Sequence, residues 1–167
     1  MDIAPLQSPF PPSTITSVPQ KSKFLSLIPK IPIPYVTDGN KAGSEDAYVE
    51  LGPQLQWVQI DLEKPSEVAA IYLWHYFREA RSYHDVIVQV AGDERFTKNV
   101  TTVYSNDQDN SAKMGIGKAR PYIDTNFGHL IDAKGAKGRF VRLYGRGNTA
   151  NDLNHYVEVE VFGKPAG

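Results

Sequence analysis

A chain of 167 residues, 41% apolar and 22% charged, is long enough for one ordinary globular core with an appendage. Eighteen Lys and Arg against nineteen Asp and Glu leave a formal net charge of −1, which gives no electrostatic ground for a nucleic-acid or anionic-membrane partner. The absence of cysteine excludes disulfides, thiolate metal sites and cysteine nucleophiles, and no apolar run approaches the roughly 20 residues of a membrane span.

Residues 1–34 hold eight of the twelve prolines, so this stretch is expected to be an extended segment or linker, with a folded domain over 35–167. The apolar residues of Phe24 to Ile28 and Ile31 to Ile33 suggest that its second half lies against the domain. Met1-Asp2-Ile3-Ala4-Pro5 has neither the basic nor the apolar region of a signal peptide. From about residue 35 the pattern changes to short β-type runs. Trp57 to Leu62 alternates apolar and polar residues with period two, and Ala70 to His75, Val86 to Val90 and Thr101 to Tyr104 follow. His129 to Ile131, Arg139 to Tyr144 and Tyr156 to Phe162 complete the series. No 3.6-residue stripe is sustained. The expected fold is an all-β antiparallel sandwich or jelly roll of about eight core strands.

The connections alternate between short ones (63–67, 92–98, 134–138) and long polar ones (37–56, 76–85, 105–128, 146–154). Antiparallel succession puts every second connection at the same end, so all four long loops are expected together. Asn106-Asp107-Gln108-Asp109-Asn110 has carboxylates at alternate positions but lacks the Gly and distal Glu of an EF-hand loop, which predicts a solvated turn. Gly115-Ile116-Gly117-Lys118 lacks the spacing and the following Ser or Thr of a phosphate loop. No GxSxG elbow occurs, and His75, His84, His129 and His155 form no HxH or HxxxH pair.

Thr37-Asp38-Gly39-Asn40, then Trp57 to Leu62, Val86 to Val90, Phe140 to Leu143 and the closing Val157 to Gly163 resemble the pattern of discoidin-type domains. This is the coagulation factor 5/8 type C, galactose-binding-like group, similar to family 32-type carbohydrate-binding modules. The resemblance spans roughly residues 35–163. It implies a jelly-roll sandwich that binds a saccharide or polysaccharide, secreted or at the cell surface, often attached to a catalytic module or cell-surface partner and not itself an enzyme. It further implies a structural Ca2+ beside the Asp-Gly turn, with the Asp38 side chain, oxygens of Asn40 or Ser44, and the Glu158 carboxylate as ligands; calcium takes six to eight such hard oxygens. The alternative is that Asp38 hydrogen-bonds only its own turn. Strand alternation puts Glu158 and Glu160 on one face and Val157, Val159 and Val161 on the other.

Sugar binding needs an aromatic face for C–H patches and planar polar groups for adjacent hydroxyls. Loop 76–85 offers both beside His75, and loop 146–154 adds amides next to His155. The resemblance maps the family's His, Arg, Asn and aromatic onto His75, Arg78 or Arg81, Asn148 or Asn151, and Tyr76 or Tyr83, with His84 and His155 at the same end. On this basis Tyr83→Ala and Arg81→Ala are expected to abolish retention on a polysaccharide and leave the melt unchanged. The alternative is that Tyr72, Trp74 and Tyr83 are core and that Asn148 to Asn154 cap turns. A protein-interaction or adhesion domain of the same fold is the second reading, which an apolar loop tip would favour. A metal-dependent lyase or hydrolase built on His75, His84 and His155 is the third.

Overall fold

The computed structural model describes residues 33–44 and 47–167 together with strands at 16–17 and 21–25; the rest of the proline-rich segment expected at 1–34 lies outside the described residues. Eight strands are defined among the described residues: β1 (Thr16–Ser17), β2 (Lys21–Leu25), β3 (Val49–Leu51), β4 (Gln56–His75), β5 (Ile87–Ala91), β6 (Thr101–Ser105), β7 (His129–Gly145) and β8 (Asn154–Pro165). A 3-10 turn, Ile33–Val36, leads into the first long loop. Every pairing is antiparallel, in the order β1-β8-β4-β7-β5-β6, with β2 added to β4 and β3 to β8. The all-β antiparallel expectation holds.

Two of the expected short connections are bends within continuous strands. In β4, residues 56–61 lie between β2 and β7, and residues 66–73 lie between β7 and β8, with a register shift from Asp61 to Ser66. Asp61 Oδ1 accepts the Glu63 N–H at 2.8 Å, and Glu63 has φ of 63°. β7 bends by the same device: Asp132 Oδ1 accepts the Lys134 N–H at 2.9 Å, and Lys134 and Gly135 have φ of 52° and 72°. A short carboxylate that closes on the backbone two residues ahead lets the chain turn without ending the strand. β4 and β7 thereby pass from one sheet of the sandwich into the other.

The strand alternation read from the sequence fills the space between the sheets. Val58, Ile60, Leu62, Val68, Ile71 and Leu73 of β4 meet Ile131, Val141 and Leu143 of β7, Val88 and Val90 of β5, and Val159 and Val161 of β8, all buried. Each such side chain contributes roughly 1.5–3 kcal/mol on leaving water. On the outer face Arg139 is held bidentate by Asp61 at 2.7 and 2.8 Å. Arg142 donates to Gln59 Oε1 while lying over the rings of Trp57 (4.2 Å) and Phe96 (4.0 Å).

Candidate functional site

Hydrogen bonds tie the four long connections together at one end of the sandwich, although the first of them, 37–56, carries β3 and is not the uninterrupted loop expected. Loop 76–85 is their hub. Arg78 Nη2 donates to the Ala42 carbonyl of the first loop at 2.7 Å, and the Asp124 N–H of the third donates to the Arg81 carbonyl at 3.1 Å. The His84 N–H donates to Gly147 O at 3.0 Å, Arg146 N–H returns to His84 O at 2.9 Å, and Thr149 N–H reaches Ser82 O at 3.0 Å.

Beneath this surface lies a buried polar layer. His75, Tyr83, Asp124 and His155 are each no more than 5% exposed. His75 Nδ1 is 3.1 Å from Asp124 Oδ1, and its ring stacks on Tyr83 at 4.1 Å. The Tyr83 hydroxyl is 3.0 Å from His155 Nδ1, whose Nε2 faces Glu50 Oε2 at 3.4 Å. A neutral imidazole protonated on Nε2 satisfies both contacts, accepting from Tyr83 and donating to Glu50. Burial, helped by the charge of Arg81 and opposed by Glu50, lowers His155 to about 4, so it is neutral at pH 7. Burial and the Asp124 carboxylate push the Tyr83 phenol well above its ordinary value.

The residues expected to touch a sugar therefore divide. His75, Tyr83, Asn148 and His155 are interior groups whose polar atoms bond within the protein. Asn148 donates to Asn151 Oδ1 and Leu153 O, both at 2.8 Å, and its oxygen accepts from Ala150 and Asn151 N–H, so it plugs its own turn. Arg81 is 9% exposed, packed over Tyr76 at 4.8 Å and bound to Glu79. Tyr76 is half-buried, whereas Arg78, His84 and Asn151 are exposed. Tyr72 is half-buried, stacked on a buried Trp74 at 5.4 Å.

The third long loop supplies groups that the sequence reading did not name. Asp124 closes the bond to His75 from 49 residues away, a pairing that no local pattern marks. On either side of it Ile123 and Phe127 are 61% and 79% exposed. His84, Asn106, Gln108, Asp109 and Pro121 line a shallow pocket of about 240 Å³ between the second and third loops.

The expected calcium ligands sit around Glu158. Gly39 N–H donates to Glu158 Oε2 at 3.0 Å, Asp38 Oδ1 accepts the Asn40 N–H at 2.8 Å, and Asn40 Oδ1 accepts the Ala42 N–H at 3.1 Å. Lys41 pairs with Glu160, so Glu158 and Glu160 both face this loop, as alternation requires. Asp38, Asn40 and Ser44 are exposed, while Glu158 is 2% exposed. Burial raises the Glu158 carboxyl to about 8; the Gly39 N–H opposes the rise, and the neighbouring charge of Asp38 adds to it. A buried carboxylate beside a second carboxylate and a tight Gly turn is a donor set that suits a hard divalent cation.

The three histidines do not assemble. His84 is exposed and bonds through its backbone, while His75 and His155 flank Tyr83 with separate hydrogen-bond partners. Among the described residues, the one grouping of three acidic or imidazole ligand atoms within 4.8 Å is Asp85, Asp107 and Asp109. Asp85 is already paired with Arg146 at 2.7 Å and Ser111 Oγ at 2.7 Å. Asp107 accepts the Ser111 and Ala112 N–H groups and is buried with Asn106, whereas Gln108, Asp109 and Asn110 are exposed, so the stretch is a solvated turn anchored by its first two residues.

No protein-family model matches the sequence, and no curated protein matches it. Among solved structures, a family 89 glycoside hydrolase from Clostridium perfringens in complex with PUGNAc superposes with a TM-score of 0.68 at 15% identity, over 89% of this chain and 14% of that one. This chain thus corresponds in length to a small part of that enzyme. The family 32 carbohydrate-binding module of C. perfringens NanJ, in complex with galactose, matches at 0.64 and 11% identity over 89% and 98% of the two chains. The family 32 module of AlyQ, in complex with 4,5-unsaturated mannuronic acid, matches at 0.59 and 18% identity over 87% and 95%.

Proposed function

We propose that this chain, which has the discoidin-like fold of family 32 carbohydrate-binding modules, is a secreted or cell-surface, non-catalytic module that binds a saccharide at its long-loop end. The observation that carries this reading is the convergence of four long loops on one end, hydrogen-bonded to one another through loop 76–85. Two whole-length neighbours of this fold are complexes with galactose and with a mannuronic acid derivative. The buried layer of His75, Tyr83, Asp124 and His155 then acts as a floor that fixes the loops, so that binding does not have to order them. Arg78, His84 and Asn151 are the exposed polar groups available to hydroxyls. Calcium held by Asp38, Glu158 and oxygens of Asn40 or Ser44 would neutralise the paired carboxylates and pin the first loop, and takes no part in chemistry.

The test is a saccharide and polysaccharide binding screen run with calcium and again with a chelator. Binding to at least one saccharide is expected, weakened in chelator. No binding in either condition sinks the reading. A second reading, a protein-interaction domain of the same fold, is favoured by one observation, the apolar tip formed by Ile123 and Phe127. It predicts that no saccharide binds while the same loops retain a protein partner.

A further inference from the structure

We infer that Phe127 is the stacking residue of the saccharide site, an assignment that rests on the saccharide-binding reading above. A sugar's C–H face needs an aromatic ring with an open face, and the rings of the second loop and of Trp74 are covered, as is Tyr122 of the third loop, stacked on His129 at 3.8 Å. Tyr76 is covered by the Arg81 guanidinium at 4.8 Å, and Tyr83 by the His75 ring at 4.1 Å. Phe77 presses against Gly43, with Arg78 over it at 5.8 Å. Trp74 carries the Lys41 ammonium 4.7 Å from its ring and Tyr72 on its other neighbour contact. Phe127 is 79% exposed.

Its backbone is nevertheless fixed. The Trp74 indole N–H donates to Asn126 O at 3.1 Å, and Gly128 N–H donates to Thr125 O at 3.1 Å, closing a turn around the residue. Phe127 N–H bonds Thr125 Oγ1 at 3.3 Å. Gly128, at φ of 71°, lies so close to the Trp74 ring that a Cβ there would fall 2.7 Å from Nε1. An apolar ring held out into water on a braced turn loses little freedom when a ligand covers it, which is what a stacking platform requires.

Its position fits the site. Asp124, three residues before it, bonds to Arg81 of the second loop, and the Trp74 beneath the turn carries Lys41 of the first. The segment that carries Phe127 is therefore bonded to the second loop and, through Trp74, adjoins Lys41 of the first. Exposed Thr125 and Asn126 offer a hydroxyl and an amide beside the ring. The ligand this arrangement selects is a pyranose with one continuous C–H face and a hydroxyl at its rim.

The experiment is affinity electrophoresis through gels containing galactan or alginate, with the whole chain. Phe127→Ala is expected to weaken retention at least about tenfold, a loss of roughly 1.4 kcal/mol. Phe127→Trp keeps retention, and Ile116→Ala, another exposed apolar residue, leaves it at the wild-type level. Melting curves of all three stay at the wild-type value. Retention of Phe127→Ala equal to wild type overturns this inference and leaves the saccharide reading standing. A wild-type chain retained by neither polysaccharide and by no saccharide of the screen overturns both. Loss of binding to phosphatidylcholine vesicles in Phe127→Ala, with polysaccharide retention intact, assigns the ring to a lipid surface and overturns the inference.

Discussion

Within the buried layer, a residue's distance from the ligand surface and its effect on binding come apart. Tyr83 is 2% exposed, stacked on His75 and bonded to His155. The sequence-based expectation that Tyr83→Ala would leave the melt unchanged does not fit that burial. The substitution opens a cavity and strands His155, and it should cost about 3 kcal/mol or more, read as a lowered Tm. His155 gives the layer a pH dependence. Its pKa is about 4 in the fold against an ordinary 6.5, so between those values the unfolded chain binds more protons than the folded one. Stability is full above about pH 6.5 and falls as pH drops through about 4, by on the order of 3 kcal/mol. Urea titrations across this range should show that loss, and His155→Gln should flatten it. An unaltered slope would remove His155 as its source.

Between elements, close backbone approach decides what is tolerated. Gly163 of β8 lies against Glu67 and Val68 of β4, and a methyl there would overlap the Glu67 carbonyl oxygen. Gly163→Ala should destabilise by roughly 1–3 kcal/mol, seen as a lower Tm with saccharide binding per folded molecule retained. At the other edge, β2 covers residues 57–61 of β4. A chain beginning at Ile33 leaves that edge bare and should self-associate in light scattering, whereas the intact chain should not. The strands were legible from sequence because alternation is local: Trp57 to Leu62 and Val157 to Phe162 announce their own faces. The bends at Asp61 and Asp132 were not, because an Asp before a charged or Gly-containing run reads as the end of a strand. The clustering of the long loops followed from counting connections. Which loop residues turn inward did not, because that depends on pairs such as His75 with Asp124 and Tyr83 with His155, 49 and 72 positions apart.

Across the whole molecule, stability should depend on an ion if the first loop is pinned as proposed. Calcium at about a hundred times its dissociation constant adds about 2.7 kcal/mol. Thermal melts with calcium and with chelator should therefore separate for the wild type and coincide for Glu158→Gln. Equal wild-type melts in both conditions would leave the buried Glu158 to its Gly39 bond alone. The passage of β4 and β7 through both sheets bears on how the molecule carries force. Tension entering at the loop end runs into two unbroken backbones that serve both layers. The ladders beside them are then loaded along their length, so many bonds resist together instead of unzipping one after another.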